Sequence, residues 1–517
     1  MIATGDYITP RVNGVAFLDK PVLYYWLQAA AIKLFGVKEW ALRLFPALFG
    51  VLGCIVTYIC GRRLFDRRTG LISAFILATT PLYFGGAHYA NLDLEVSVLI
   101  SCTLLFFITG IQSEGKTRNT FLFLTYLSAA LAFLTKGLIG LAFPAMIGGL
   151  WILLTAQWKL LIRLHLVKGI VLFALLVLPW YYFVQKANPQ FLHYFFVTQQ
   201  VTRFLSTTTF NNPTPVWFYL PIIFLGAFPW TCFLLQALAT NIKQVWKSRQ
   251  SHQTELFLLL WTFIVFIFFS VPHSKMVTYI LPIFPAIALL TGKYLASAWE
   301  NAEKPGIKFG IVSAIILGIT FSSLIFLASY YHWINIPADF KTHLYLLAFI
   351  FILQSLVLLF NFRKKMGLPF FTSMAVCISV FLITLVSGAG YLNQNSAKPL
   401  VSSLKTIIQP DDEVIHYFKF FQDVPLYLGK RVTIVADWSS PKIAHRDNWQ
   451  RELWYGMPFQ DTSTWLINES AFWDKWNGSK RVYVFLGENY LDQFKSHAGN
   501  YHVIEEHNGI LLLSNMI

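Results

Sequence analysis

The sequence has little charge for its length. Of its 517 residues, 13% are charged, against roughly 25% in an ordinary soluble protein. Apolar residues make up 56% of the chain and aromatic residues 17%. The 48 phenylalanines and 17 tryptophans exceed what one soluble core needs and are typical of lipid-facing helices with interfacial aromatic belts. This composition excludes a soluble globular protein and predicts a polytopic α-helical membrane protein.

Cysteine is also scarce, and its spacing argues against a CxxC-type metal site. No two cysteines have that spacing, and all five lie within apolar runs. We interpret them as small buried hydrophobic residues, which give no information about the redox compartment. They are Cys54, Cys60, Cys102, Cys232 and Cys377.

A concentrated basic surface is the third absence. The formal net charge is +15, but the lysines and arginines are scattered between apolar segments. They form no patch interleaved with aromatic residues, so nucleic acid is not an expected partner. Membrane topology explains these basic residues better.

Apolar stretches of about 20 residues, long enough to cross a bilayer, recur through the first three quarters of the chain. They predict about twelve spans, with ends uncertain by a few residues. The predicted spans lie near 40–61, 69–89, 92–112, 119–135, 137–156, 164–185, 216–240, 255–272, 276–297, 307–330, 342–361 and 367–391.

Lysine and arginine are unevenly divided between alternate connections of these spans. One set of connections holds seventeen of them and the other set five, and the richer set is expected to be cytoplasmic. The richer set is Arg62, Arg63, Arg67, Arg68, Lys116, Arg118, Lys159, Arg163, Lys243, Lys247, Arg249, Lys293, Lys304, Lys308, Arg363, Lys364 and Lys365. The poorer set is Lys136, Lys186, Arg203, Lys275 and Lys341.

This orientation places residues 1–39 on the outer side of the membrane. No signal peptide or leading span precedes them. We therefore expect that an N-terminal helix is missing from this sequence. The alternative is a natural protein with a short translocated N-terminal tail.

From about residue 392 the composition becomes mixed and soluble. Short β-like runs occur at 414–418, 431–436, 481–487 and 509–514, which predicts a small α/β domain on the outer side. No spacing there suggests a nucleophile triad, a phosphate loop or a zinc site. The predicted organisation is an outer loop with amphipathic helices (1–39), a transmembrane body (40–391) and a soluble outer domain (392–517).

The stretch "FLDKPVLYYW" near the start combines an acid, a base and a proline among aromatic residues. Pro21 suits the first position of a helix, so Asp19 and Lys20 would precede exposed backbone N–H groups. This arrangement predicts an anion site. A charged turn before an amphipathic surface helix is the alternative.

Further polar residues lie at predicted outer ends of spans. Asp93, in "AHYANLDLEVSV" with His88 and Glu95, is either a helix cap or a functional carboxylate. Lys275 and Tyr279 are predicted to lie one helical turn apart at an outer helix start, although Lys275 alone could be a snorkelling anchor.

The long outer loop at 187–215 carries a single cation, Arg203, which could simply stack on Phe204. Together, Lys20, Arg203 and Lys275 are three of the few outer cations. Three converging cations would bind a lipid phosphate.

Several stretches of the chain resemble, in the same order, the membrane glycosyltransferases of the protein-mannosyltransferase and aminoarabinose-transferase type. The resemblance spans essentially the whole chain. It is carried by "GDYITPRVNGVAFLDKPVLYYWLQAAAIKLFG", "EWALRLFPALFG", "GRRLFDRRTGLISAFILATTPLY", "YFFVTQQVTRF", "PVWFYLPIIFLGAFPW", "SKMVTYILPIFPAIALL" and "DEVIHYFKFFQDVPLYLGKRV".

The resemblance implies a C-type glycosyltransferase fold in a bacterial inner membrane, with a periplasmic C-terminal domain. Such enzymes move a sugar from a polyprenyl-phosphate carrier to an acceptor hydroxyl, here on lipid A, another glycolipid or a protein. It also implies that the acid-Lys-Pro turn helps hold the carrier phosphate, together with Arg203, Lys275 and Tyr279. Asp93 matches a family aspartate to which we assign a supporting catalytic role.

The sequence departs from the family pattern at two places. The family's acidic motif on the first outer loop would lie before Met1, so we expect poor sugar transfer unless Asp19 or Asp93 substitutes as the base. Gln199 and Gln200 stand where the aminoarabinose branch has a Glu-His pair, which puts a metal or proton role there in doubt. No cofactor is required by this resemblance, and a divalent metal is left open.

Two other functions remain open at this point. A catalytically impaired family member would bind polyprenyl phosphate without transferring the sugar. A transporter of lipid-linked sugars would also be polytopic, but it should have charged or broken helices near the midplane of the bilayer. Here the charges gather at the outer ends of the spans, which argues against transport.

The predicted topology can be tested with reporter fusions to the full chain. Fusions after residue 65 and after residue 250 should report cytoplasm, and a fusion after residue 395 should report the outer side, because of the uneven distribution of basic residues. A cytoplasmic signal from the fusion at 395 would contradict the outer placement of the candidate site.

Overall fold

The computed structural model of the protein describes residues 1–202, 214–299, 305–331, 338–361, 367–392, 396–446 and 448–516. Among the residues singled out above, six lie outside these ranges. They are Arg203, Phe204, Lys304, Arg363, Lys364 and Lys365.

The N-terminal segment forms a short hairpin followed by two helices. Strands β1 (Arg11–Val12) and β2 (Val15–Ala16) pair antiparallel. Asn13 and Gly14 connect them with φ values of 49° and 82°, as a two-residue hairpin turn with positive φ at both positions requires. Helix α1 is Leu23–Phe35 and helix α2 is Glu39–Leu42.

The helical body follows as a series of apolar helices. They are α3 (Leu44–Leu64), α4 (Arg67–Ala78), α5 (Pro81–Ala87), α6 (Leu92–Ile111), α7 (Gly115–Lys136), α8 (Ile139–Thr155), α9 (Leu160–Arg163), α10 (Leu166–Ala187), α11 (Tyr219–Gly226), α12 (Thr231–Lys247), α13 (Gln253–Ser270), α14 (Phe284–Ala298), α15 (Pro305–Tyr330), α16 (Ala338–Asn361) and α17 (Leu368–Ala389). A π-helix covers His193–Thr202, and 3₁₀ turns cover Val216–Phe218 and Val277–Ile283.

These helices confirm a polytopic helical membrane protein. Within the described residues, eight segments are long and apolar enough to cross a membrane, and two bent helix pairs raise this number to ten. The other two predicted spans coincide with α7, which has 22 residues, and α8, which has 17.

The two bent pairs were predicted as continuous spans, near 69–89 and 216–240. In the structure α4 and α5 meet at 66°, and the segment Val216–Gly226 meets α12 at 114°. A proline lies at each break, Pro81 as the first residue of α5 and Pro229 between Gly226 and Thr231. Proline lacks the N–H group that continues a helix, which explains a break at both places.

Helix α6 lies at the centre of the bundle. In its most apolar window 89% of the residues are buried inside the protein, against 28% for α10 and 22% for α15. Helices α3, α7 and α8 pack around it, whereas α10 and α15 expose most of their surface, as lipid-facing helices do. Side chains at the start of α6 are therefore surrounded by protein.

The C-terminal part contains a six-stranded mixed sheet in the order β5-β4-β3-β6-β8-β7, in which β8 runs antiparallel to β6 and β7. All four predicted strands are present. Two others, β5 and β7, escaped prediction because β5 has two residues and β7 is largely polar. The elements are α18 (Lys398–Ile407), β3 (Glu413–Tyr417), α19 (Asp423–Leu428), β4 (Thr433–Val435), α20 (Trp449–Gly456), β5 (Leu466–Ile467), α21 (Glu469–Trp476), β6 (Val482–Gly487), α22 (Leu491–Lys495), β7 (His502–His507) and β8 (Ile510–Ser514).

The sheet domain is docked on the N-terminal hairpin. The Asn13 side chain donates to the Val432 carbonyl (2.8 Å) and accepts from the Val432 N–H (3.0 Å). Gly456 approaches so closely that an added Cβ would lie 2.1 Å from the Ala16 carbonyl oxygen. Nearby, Lys398 pairs with Glu39 and lowers the pKa of that carboxyl to about 2. These contacts hold the domain over the segment that leads to Asp19.

Candidate active site

Asp93 is the centre of a buried polar cluster at the start of α6. The residue is 5% exposed. Its Oδ1 lies 2.5 Å from the Lys136 ammonium, and its Oδ2 accepts a hydrogen bond from the Thr278 hydroxyl at 2.5 Å. The helix cap is Asn91, whose side chain accepts from the Asp93 N–H at 3.0 Å. The interpretation of Asp93 as the cap was therefore wrong.

Lys136, which sequence reasoning did not select, is the last residue of α7. Gly137 ends that helix with a φ of 77°, which turns the chain towards α8. The Lys136 ammonium also lies 4.2 Å from the centre of the Tyr279 ring, so its charge is stabilised by a carboxylate and by an aromatic face. The available signal was that Lys136 is one of only five cations in the outer connections between the predicted spans.

Lys275, three residues before Thr278 in the chain, is also buried. It is 3% exposed, and its ammonium donates to the Thr214 carbonyl at 3.1 Å. Burial lowers the pKa of this ammonium. Lys275 precedes the 3₁₀ turn that contains Tyr279, so the predicted single helical turn joining them is wrong. Within the described residues no carboxylate pairs with Lys275.

Asp19 belongs to a second buried cluster. Its Oδ1 accepts hydrogen bonds from the Tyr194 hydroxyl and from the Gln199 amide, the latter at 3.2 Å. The Gln199 amide also donates to the Tyr194 oxygen at 2.7 Å. Burial and then the Asp19 charge raise the pKa of the Tyr194 phenol, so Tyr194 stays a neutral donor.

The π-helix explains why Tyr194 and Gln199 reach the same carboxylate. A π-helix brings residues i and i+5 onto one face, and these two residues are five apart. Sequence reasoning noted Gln199 only as a departure from the family pattern and did not select Tyr194. The missed contact depends on a local winding that hydrophobic periodicity does not reveal.

Lys20 follows Asp19 directly in the chain. Its charge is within electrostatic reach of Asp93. Helix α1 begins at Leu23 with Val22 as its cap, so Pro21 lies before the cap and not at the predicted first helical position. Arg203, the third predicted phosphate-binding cation, lies outside the described residues.

Among the described residues, no group of three or more His, Cys, Asp or Glu side chains could hold a metal ion. An apolar cavity of about 440 Å³ is lined by residues that include Pro81, Leu225, Phe321 and Phe381. Its walls come from α5, α11 and the last three helices of the body, and α5 and α11 also contact the 3₁₀ turn that carries Thr278 and Tyr279.

Comparison with protein families gives one match to part of the chain. The family described as dolichyl-phosphate-mannose-protein mannosyltransferase matches residues 19–183. The matched range begins at Asp19 and includes Lys20, Asp93 and Lys136.

Two similar proteins are undecaprenyl phosphate-alpha-4-amino-4-deoxy-L-arabinose arabinosyl transferases. That of Erwinia tasmaniensis is 29% identical over 61% of this chain and 58% of its own length. The transferase 2 of Proteus mirabilis is 30% identical over 62% of this chain and 57% of its own length. The chain thus spans less than two thirds of the length of these curated relatives.

A solved structure has the same fold over the whole chain. It is ArnT from Cupriavidus metallidurans bound to undecaprenyl phosphate, with a TM-score of 0.84 and 22% sequence identity. The superposition covers 100% of this chain and 91% of that protein.

The pairing of Asp93 with Lys136 can be tested by a double-mutant cycle on the full chain in detergent. Asp93→Asn and Lys136→Met should each destabilise the protein by about 3–5 kcal/mol, because each leaves a buried charge without its partner. The double variant should cost clearly less than the sum of the two. Thermal unfolding of the four proteins measures this, and additive losses would show that the two side chains do not interact.

Proposed function

We propose that this chain, a relative of the polyprenyl-phosphate-dependent membrane glycosyltransferases of the aminoarabinose-transferase type, transfers a sugar from a polyprenyl-phosphate carrier to an acceptor hydroxyl. The single observation that carries the proposal is the buried Lys275 ammonium, which has no carboxylate partner within the described residues. A buried cation needs an anion to offset its desolvation. The phosphate of a lipid carrier supplies one.

The proposed phosphate site is formed by Lys20, Lys275 and Tyr279, with Arg203 as a further cation. Breaking the bond between the sugar carbon and the phosphate oxygen leaves a phosphate dianion, which fixed cations stabilise as its charge develops. Lys136 contributes less to this site, because Asp93 already neutralises it.

The two catalytic candidates receive different proposed roles. Both oxygens of Asp93 are engaged by Lys136 and Thr278, so Asp93 positions these groups. Asp19 receives its two hydrogen bonds on Oδ1. Its Oδ2 accepts none from the described residues and is the better base for the acceptor hydroxyl.

We also propose where the lipid chain of the carrier binds and how the protein lies in the membrane. The relative from Cupriavidus metallidurans was solved with undecaprenyl phosphate, and the 440 Å³ apolar cavity is suited to part of such a lipid chain. We propose twelve spans in a bacterial inner membrane, with the segment 1–39 and the domain at 392–517 on the periplasmic face.

The acceptor is proposed to be a glycolipid such as lipid A, or a protein hydroxyl. The relatives are named for a 4-amino-4-deoxy-L-arabinose donor, which favours the glycolipid branch. The comparisons give no support to a binding-only protein or to a transporter.

The phosphate role of Lys275 is tested by sugar transfer in vesicles that contain the full chain and a polyprenyl-phosphate sugar. Lys275→Met should lower the transfer rate at limiting donor by about 10- to 100-fold, since a charge-assisted hydrogen bond contributes about 1.5–3 kcal/mol. Lys116→Met, at an exposed lysine of the predicted cytoplasmic side, is the matched control and should leave the rate unchanged. Wild-type transfer by Lys275→Met would remove the observation on which the proposal rests.

The base is tested with Asp19→Asn, which keeps a hydrogen-bond acceptor for Tyr194 but cannot take a proton. We expect kcat to fall by about 10²–10⁴-fold with little change in donor KM. Asp492→Asn, at an exposed carboxylate of α22, serves as the control. An unchanged kcat in Asp19→Asn would assign the proton transfer to another group.

A further inference from the structure

The segment 455–460 of the sheet domain contacts the tyrosine that donates a hydrogen bond to Asp19. The ring centres of Tyr194 and Tyr455 lie 5.7 Å apart. Those of Tyr194 and Phe459 lie 6.0 Å apart, with the ring planes at 71°. Aromatic pairs at such separations attract each other beyond the area that they bury. Among the described residues, both aromatic rings that contact Tyr194 therefore belong to the sheet domain.

The backbone on either side of Tyr194 is held by the helical body instead. Phe191 and Phe195 are fully buried. Their rings pack against Trp180 and Tyr181 of α10. Tyr194 itself is half-buried. The body thus fixes the chain at this point, while two rings of another domain hold the Tyr194 side chain.

The segment 455–460 is in turn anchored on the N-terminal hairpin. The Gln460 amide donates to the Gly14 carbonyl at 2.6 Å. An added Cβ at Gly456 would lie 2.1 Å from a carbonyl oxygen of the hairpin, so this approach requires glycine. The hairpin continues along the chain to Asp19. The acid and the two rings that hold its phenol partner therefore share one anchor.

The hydrogen bond from Tyr194 to Asp19 depends on the orientation of the tyrosine side chain. The hydroxyl lies at the far end of the ring, so a small rotation about the Cα–Cβ bond carries it out of hydrogen-bond distance. Within the described residues, Asp19 Oδ1 would then keep the Gln199 amide alone, at 3.2 Å. A carboxylate held by one long hydrogen bond turns more freely. Oδ2, the proposed base, would no longer be aimed at the acceptor hydroxyl.

We propose that Tyr455 and Phe459 are positioning residues, which hold the Tyr194 phenol on Asp19 so that the docked sheet domain completes the base of the transfer site. This inference rests on the proposed function and adds a regulation of the same site. A chain with its sheet domain undocked still binds the carrier phosphate through its lysines, but it removes the acceptor proton slowly. Neither ring has to touch the substrate.

The test measures sugar transfer to lipid A in vesicles that contain the full chain and the undecaprenyl-phosphate donor for which the relatives are named. Tyr455→Ala and Phe459→Ala should each lower kcat about 10- to 100-fold with donor KM unchanged, since misplacing a catalytic group by about 1 Å costs on the order of 100-fold. Tyr455→Phe keeps the ring and should restore most of the rate. Tyr490→Ala, which removes a half-buried ring stacked on Phe418, is the matched control and should transfer like the wild type.

A double variant separates positioning from a merely structural role. Tyr194→Phe removes the hydroxyl and should lower kcat by a similar factor. Adding Tyr455→Ala to Tyr194→Phe should then cost little more, because the hydrogen bond that Tyr455 supports is already lost. A structural role for Tyr455 would instead multiply the two losses.

Three results would overturn the inference. Wild-type kcat in both Tyr455→Ala and Phe459→Ala would show that the two rings do not hold the base. Losses that multiply in the double variant would assign Tyr455 a structural role. Both results leave the proposed function intact. A wild type that transfers no sugar would overturn the proposed function as well.

Discussion

The contact between Asp93 and Lys136 organises the whole site. Each charge would be costly alone in the low-dielectric interior of the bundle, and each is tolerated because the other lies within hydrogen-bond distance. The pair joins the start of α6 to the end of α7, and Thr278 adds the 3₁₀ turn that leads into α14. Three chain segments that are far apart in sequence are thereby fixed at one level of the bundle.

The three buried carboxylic acids of this region have different partners. Asp93 is neutralised by a cation, Asp19 is held by a phenol and an amide, and Glu95 has no partner within the described residues. Environments that differ in this way assign different chemistry to carboxylic acids lying close together. The sheet domain also packs against this region, because the ring centres of Tyr455 in α20 and Tyr194 lie 5.7 Å apart.

Much of the fold could be predicted because it follows from hydrophobic pattern. Runs of apolar residues predicted the helices of the body, and four β-like runs predicted four strands. The bends at Pro81 and Pro229 do not follow from the length of the apolar runs, although a proline marks both. Strand β7 was missed because its residues, such as Glu505 and Glu506, lie on an exposed edge and are polar. The resemblance predicted from ordered motifs agrees with the family match at residues 19–183 and with relatives that are 29–30% identical over 61–62% of the chain. The fold agrees with that of a solved structure.

The sequence points to candidate site residues only where a charge stands out among apolar residues. Asp19, Lys20, Asp93 and Lys275 are selected in this way. Lys136 is not, because a lysine at a helix end is usually an interface anchor. Which charges pair depends on packing between α6 and α7, and sequence spacing does not contain that information.

The π-helix at 193–202 makes the site sensitive to chain length. With ordinary α-helical winding, the residues stacked one turn after Tyr194 would be Val197 and Thr198, and Gln199 would turn away. Deleting a single residue between 195 and 198 would restore ordinary winding while keeping Gln199 beside Tyr194. An insertion there would instead move a different side chain against Asp19. Relatives that differ by one residue in this segment can therefore present the same carboxylate with a different neighbour, without any substitution at the acid itself.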